Sequence, residues 1–143
     1  MKYALKEAEK AYKKGEVPVG CVIVYNDKII AKGYNKRVRD NLTVSHAELV
    51  AIEKANKVIG SWRLEDCDIY VTLEPCSMCA GAIMQARMRH IYFAASDPKS
   101  GALGGLYNMY DFKFNHKVEV TKGILENESK TLIQTFFKQL RDK

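Results

Sequence analysis

The chain is expected to fold as an α/β protein built around a layered sheet, and three features of its 143 residues lead there. Segments with apolar residues at helical spacing alternate with short β-branched runs, the pattern of helices laid against strands. Asn26-Asp27 separates two of those runs and reads as a tight hairpin turn. Long connections follow the runs at 68–73 and 90–95, and crossovers of that length imply parallel pairing.

Residues 1–14 place Leu5, Ala8, Ala11 and Tyr12 at helical spacing, and Gly15 ends that helix. Residues 17–25 form a strand that returns after the turn as 28–34. The basic run Lys36-Arg37-Val38-Arg39 is expected to be a loop. Leu49, Val50, Ile52 and Ala55 give a helix over 47–59, which Gly60 closes. Residues 68–73 are a buried strand. Pro75 then opens a helix running to about Ala86, because a missing N–H costs nothing in a first turn. A strand over 90–95, a polar glycine-rich loop over 97–105, a short strand over 117–121 and an amphipathic helix over 126–141 complete the chain. No repeat, linker or low-complexity segment intervenes, so 1–143 is expected to be one domain. At this length it buries roughly two thirds of the surface of the unfolded chain.

Composition excludes some classes. No apolar run approaches the ~20 residues of a membrane span, and Met1-Lys2-Tyr3-Ala4 does not open a signal peptide. Four cysteines, two of them in a Cys-x-x-Cys pair, point to a reduced compartment and to metal or redox use. The expectation is a cytoplasmic protein without a membrane partner. Lys and Arg number 23 against 17 Asp and Glu, a net charge of +6 that favours polyanionic partners.

Two strings carry the chemistry, His46-Ala47-Glu48 and Pro75-Cys76-Ser77-Met78-Cys79. Cys76 and Cys79 become neighbours on one helical face, where the positive helix end favours thiolate over thiol. His46 and Glu48 stand at the start of another helix, where a non-helical cap lets side chains two apart converge. Each string alone has a plainer reading. Cys-x-x-Cys between a strand and a helix is also a redox pattern, and His-x-Glu occurs by chance. Together they read as a zinc site with His46, Cys76 and Cys79 as ligands and Glu48 as its acid–base group. A structural zinc is closed by four protein ligands, whereas three leave a position for water. Cys67 lies at the far end of its strand, ~20 Å away, and His90 lies ~16 Å past Cys79 along a continuing helix. Counting does not exclude Cys21 or His116, although the plain reading of Cys21 is a core thiol. With the position open, zinc brings the pKa of bound water toward neutrality. Glu48 would accept that proton, pass it to a ring nitrogen and protonate departing ammonia. This motif pair is the signature of the zinc nucleobase deaminases.

The resemblance extends nearly end to end. Glu16-Val17-Pro18-Val19-Gly20, Asn35, His46-Ala47-Glu48, Trp62-Arg63-Leu64, Tyr70 through Cys76, Met78 through Ala82, Asp97-Pro98-Lys99-x-Gly101-Ala102, Asn115-His116 and Phe136-Phe137 are similar to bacterial tRNA adenosine deaminases of the TadA type. That family belongs to the cytidine/deoxycytidylate deaminase superfamily. It implies a three-layer cytidine-deaminase-like fold, a mixed five-stranded sheet flanked by helices. It also implies one Zn²⁺ per subunit, a homodimer, and hydrolysis of adenosine to inosine at wobble position 34 of a tRNA anticodon, with an arginine tRNA as the expected partner. By the same resemblance, Asn35 would hydrogen-bond the flipped base, and Val19, Ala47 and Leu73 would wall its pocket. Asp97 would approach the ribose, a contact through which RNA is told from DNA. Lys99, His116, Phe136, Phe137, Lys138, Arg141 and Lys143 would touch the anticodon arm.

These residues have structural readings as well. Asn35 suits a hairpin end and Asp97 before Pro98 a turn. Adjacent phenylalanines on one helix point about 100° apart, so one is expected in the core and one at an interface. Ser45 replaces the small apolar residue usual before the zinc histidine, and the first helix starts close to Met1. Three rivals remain at this point. One is a free-base or nucleoside deaminase for guanine or cytosine, another a catalytically silent zinc-containing RNA-binding protein, and the third a redox protein built on Cys76 and Cys79.

Overall fold

The computed structural model describes residues 1–143. In chain order it contains α1 (Lys2–Lys13), β1 (Gly20–Tyr25), β2 (Lys28–Tyr34), α2 (Arg37–Asp40), α3 (Ala47–Ile59), β3 (Cys67–Leu73), α4 (Ser77–Gln85), β4 (His90–Ala95), a 3-10 turn at Met109–Asp111, β5 (Glu119–Lys122) and α5 (Glu126–Arg141). The five strands form one sheet in the order β2-β1-β3-β4-β5. β1 pairs antiparallel with β2 and β3, and the pairs β3–β4 and β4–β5 are parallel. The mixed five-stranded sheet and both expected parallel pairings are therefore present.

The hairpin forms for the expected reason. Asn26 and Asp27 adopt φ 50° and 60°, the left-handed pair that a two-residue turn between twisted strands requires. Cys21 and Gly33 are cross-strand partners, as are Gly20 and Tyr34, so these pairs mark opposite faces of the sheet. α3 covers the first face. A Cβ on Gly33 would lie 2.5 Å from the Ala47 carbonyl oxygen, so only glycine lets the start of α3 come this close. α1 lies on the second face with α5, joined through Tyr12 and Phe136 at 6.0 Å between ring centroids. Between the layers Ile23, Leu64, Ile69, Val71, Ile83, Met88, Ile91 and Phe93 are fully buried. No helix is long and apolar enough to cross a membrane.

Three boundaries differ from expectation. β1 begins at Gly20, since Pro18 has no N–H to offer a ladder. β5 is displaced to Glu119–Lys122, in register with His90–Phe93. Lys36–Arg39 is not a plain loop, because Arg37–Asp40 makes a helical turn. The buried Glu16 carboxylate accepts the N–H groups of Val38 (3.1 Å) and Arg39 (2.7 Å), donors that a helix start leaves open. Ser45 also finds a role there: its hydroxyl donates to Asp40 at 3.0 Å, tying that turn to the start of α3.

Candidate active site

β3 and β4 end side by side, at Leu73 and Ala95, beside the starts of α3 and α4. The carboxyl ends of parallel strands are where α/β sheets build their ligand sites. His46 is the N-cap of α3 (φ −75°, ψ 149°) and Cys76 is the N-cap of α4 (φ −74°, ψ 177°). Extended backbone at both caps turns the two side chains toward each other. Pro75 therefore stands one residue before the cap, outside the helix it was expected to open. Cys79 follows in the first turn of α4.

The His46 ring nitrogen Nδ1 lies 3.7 Å from Cys76 Sγ and 3.5 Å from Cys79 Sγ. All three donor atoms fall within 4.8 Å of one another, and no other Cys, His, Asp or Glu joins the group. A tetrahedral zinc with ordinary Zn–S and Zn–N bonds sets N and S about 3.6 Å apart. The spacing and the two-thiol, one-imidazole donor set thus fit zinc. Cys21 and Cys67 are buried elsewhere in the core. His90 stacks on Tyr92 and meets Thr121 at 2.8 Å.

Without metal the two sulfurs share a proton unequally. The Cys79 thiol, and then His46, hold Cys76 down to about 4 against its own burial. Cys79 is pushed well up, by the same bond to Cys76 and by burial. Zinc ligation needs both as thiolates, so metal binding must release a proton. We expect alkylating reagent to leave all four thiols intact in the zinc-loaded protein and to label Cys76 first after chelation, as peptide mass mapping will show.

Glu48 occupies the first turn of α3 and is 4% exposed. Burial above all raises its carboxyl to about 7, with the adjacent Cys76 adding to the shift. A carboxyl poised near neutrality both takes and gives protons at working pH.

His46, Glu48 and Cys76 open into a cavity of about 230 Å³ that is also lined by Val19, Asn35, Ala47, Leu73 and Asp97. The structure brings together every residue expected to hold or wall a base. Asn35 serves the turn too: Nδ2 donates to Val17 O at 3.2 Å, and Oδ1 accepts Arg37 N–H at 3.1 Å. An amide has two hydrogens and two lone pairs, so one of each remains for the cavity. Asp97 Oδ1 accepts the N–H groups of Lys99 (3.0 Å) and Ser100 (3.2 Å), and Oδ2 has no partner within the fold.

An adjoining groove of about 490 Å³ shares Val17, Arg37, Leu73, Asp97 and Ser100 with this cavity and adds Lys99, Lys130 and Phe137. The phenylalanine pair points two ways but places neither ring in the core: Phe136 is half-buried against Tyr12, and Phe137 is 40% exposed at the groove. Lys138, Arg141 and Lys143 are exposed at the end of the chain and line neither cavity. His116 stands apart from both cavities. It precedes β5, where Glu119 pairs with the first residue of β4, so it lies at the other end of the sheet, and its Nε2 meets the Met88 carbonyl at 2.6 Å. Its surroundings there are of mixed charge, Arg63, Arg87, Arg89 and Lys117 with Glu65, Asp66 and Glu119.

Glu74 had no assigned role in the sequence. Its buried carboxylate accepts three backbone N–H bonds from the loop that carries Asp97: Asp97 (3.0 Å), Leu103 (2.8 Å) and Gly105 (2.9 Å). A Cβ on Gly101 would lie 2.2 Å from the Glu74 Cδ, so the loop closes on this carboxylate only with glycine there. The signal was an acidic residue ending a buried strand ahead of a glycine-rich loop.

A three-layer fold that sets a Cys₂His group and a buried carboxyl at two helix starts, around one cavity, defines a nucleobase-deaminase class of protein. A family model described as MafB19-like deaminase matches residues 1–141. The tRNA-specific adenosine deaminase of Bacillus subtilis (strain 168) is 48% identical across 100% of this chain and 89% of its own length. A solved structure from work on A-to-I editing by tRNA:A34 deaminases at the wobble position of transfer RNA is 40% identical, with a TM-score of 0.85 over 92% of this chain and 96% of that one. A guanine deaminase from Nitrosomonas europaea shares the fold at 22% identity, with a TM-score of 0.78 over 94% of this chain and 81% of its own. The chain belongs to the tRNA-specific adenosine deaminase family.

Proposed function

We propose that this protein hydrolyses adenosine to inosine at wobble position 34 of a tRNA anticodon, as a zinc-dependent cytoplasmic homodimer acting on an arginine tRNA. The observation that carries this reading is the convergence of His46, Cys76, Glu48 and Asn35 on one cavity, with Cys79 completing the metal group behind it, in a chain 48% identical to a tRNA-specific adenosine deaminase. The single domain 1–143 supplies all of these groups.

His46, Cys76 and Cys79 hold the zinc ion, which when bound acts as a Lewis acid and makes water a nucleophile at neutral pH. Glu48 takes one proton from the attacking water and delivers it to a ring nitrogen of adenine. It then takes the proton of the new C6 hydroxyl and gives it to the amino group, so that the C6–N bond breaks, ammonia leaves and C6–O becomes the inosine carbonyl. Each transfer needs the carboxyl in a different state, and burial, which disfavours the charged form, keeps the protonated one within reach. The spare amide hydrogen and lone pair of Asn35 bind the edge of the flipped base. Val19, Ala47 and Leu73 pack its faces, and the free Asp97 oxygen accepts from the ribose hydroxyl. Lys99 and Phe137 in the adjoining groove, with Phe136, Lys138 and Arg141 behind them, meet the anticodon arm.

Incubating zinc-loaded protein with total bacterial tRNA, with guanine and cytidine in parallel, tests the substrate. Nucleoside analysis is expected to find inosine at position 34 and no ammonia from the small molecules. Ammonia from guanine or cytidine with unchanged tRNA would overturn the RNA substrate and keep the zinc chemistry.

A further inference from the structure

The net charge of this chain is not spread over the molecule. Residues 1–39 hold ten Lys and Arg against four Asp and Glu, the full +6, while residues 40–143 balance at thirteen of each. Two of those four acids are buried and engaged: Glu7 holds Lys10 at 2.6 Å, and Glu16 caps the α2 turn.

On the α1–β2 face five of the remaining cations gather around two tyrosines. Lys6 and Lys32 stand over the Tyr3 ring, 5.1 and 5.8 Å from its centroid. Lys14 and Lys36 stand over Tyr34 at 5.7 and 4.9 Å, and Arg39 Nη1 reaches the Tyr34 hydroxyl at 3.5 Å. None of these five cations has a carboxylate within ion-pair distance. Tyr34 registers their field: burial raises its phenol, yet Lys14, Lys36 and Arg39 leave it below its ordinary value. Cations held side by side repel, and a polyanion with regularly spaced phosphates relieves that repulsion.

The strip is continuous with the cavity. β2 is the edge strand, and Tyr34 leads directly into Asn35 and Arg37 of the cavity wall. From Lys14 to Lys6 the strip follows α1 for about 12 Å, long enough to meet several phosphates of one strand.

We propose that the α1–β2 face is a docking surface for the RNA backbone flanking the reacting nucleotide, with Lys6, Lys14, Lys32, Lys36 and Arg39 taking phosphates. Tyr3 and Tyr34 hold the lysines in place through their ring faces. This inference rests on the RNA substrate proposed above.

The test compares zinc-loaded protein with a Lys6→Gln, Lys14→Gln, Lys32→Gln triple variant, none of whose positions lines the cavity. Binding of unfractionated bacterial tRNA is followed between 50 and 200 mM salt, and phosphatidylserine–phosphatidylcholine vesicles serve as a second polyanion. With three phosphate contacts removed, the slope of log K against log salt should fall by about 2–3. The unmodified protein should thus lose about 20–40-fold more affinity over that range than the variant does. KM for tRNA should rise while kcat at saturating tRNA and the thermal midpoint stay unchanged. An unaltered slope and affinity would overturn the proposal. So would loss of vesicle binding with tRNA binding retained, which would make the face a membrane surface. If the unmodified protein forms no inosine but the slope falls in the variant, the substrate reading fails and the RNA surface stands.

Discussion

Glu48→Gln is expected to lower kcat by about 10³–10⁴-fold or more, because one carboxyl serves each proton transfer and an amide serves none. The three donor atoms are untouched, so bound zinc should remain at one per chain by elemental analysis. The fold should tolerate the change, since the amide matches the carboxyl in shape and removes an ionisable group from a buried site. In the metal-free protein the same substitution should alter the pH dependence of stability. The folded pKa of Glu48 is raised from 4.5 to about 7, so its contribution is fully present below the unfolded value and is lost as pH rises through the folded one. The glutamine variant should therefore gain on the unmodified chain between pH 4.5 and 7, by about 3 kcal/mol at most. Denaturant titrations across that range measure the gain. Full activity in Glu48→Gln would remove Glu48 from the mechanism.

Glu74→Gln is expected to be the most damaging change outside the zinc ligands and Glu48. An amide NH₂ in place of one carboxylate oxygen faces a backbone N–H, donor against donor, at a position now holding hydrogen bonds of 2.8–3.0 Å. Losing one or two charge-assisted bonds costs roughly 2–4 kcal/mol, concentrated in the loop that carries Asp97 and Ser100 into the cavity wall. KM for RNA should rise tenfold or more and the thermal midpoint should drop, while zinc content stays at one per chain. Gly101→Ala should show the same split, since its methyl group would collide with the Glu74 carboxylate. If KM is unchanged in both variants, Glu74 supports only the fold and does not position the site.

How much could be read before the structure depended on range. The hairpin followed from two neighbouring residues, Asn26 and Asp27, whose left-handed φ is a local property. The metal group followed from residue chemistry, because few arrangements other than a metal site use His46, Cys76 and Cys79 at successive helix starts. Helix caps were harder. Pro75 was expected inside α4 on propensity, but Cys76 takes the cap, and its extended backbone aims the sulfur at His46. The Lys36–Arg39 turn was missed because its stabilising partner, Glu16, is 22 residues away from Val38. No local pattern could supply that carboxylate.

Side chains whose function is intrinsic were thus available from the sequence: the thiols and imidazole that fit zinc, the acid beside them, and a basic first segment. What needed the tertiary structure was every property set by surroundings. Burial, not residue type, lifts Glu48 to about 7, and strand order, not spacing, takes His116 away from the cavity. The three N–H groups on Glu74 come from a loop 23 to 31 residues downstream. The physical reason is the same throughout. Ligand chemistry belongs to individual side chains, whereas desolvation and hydrogen-bond partnership belong to groups that only the folded sheet brings together.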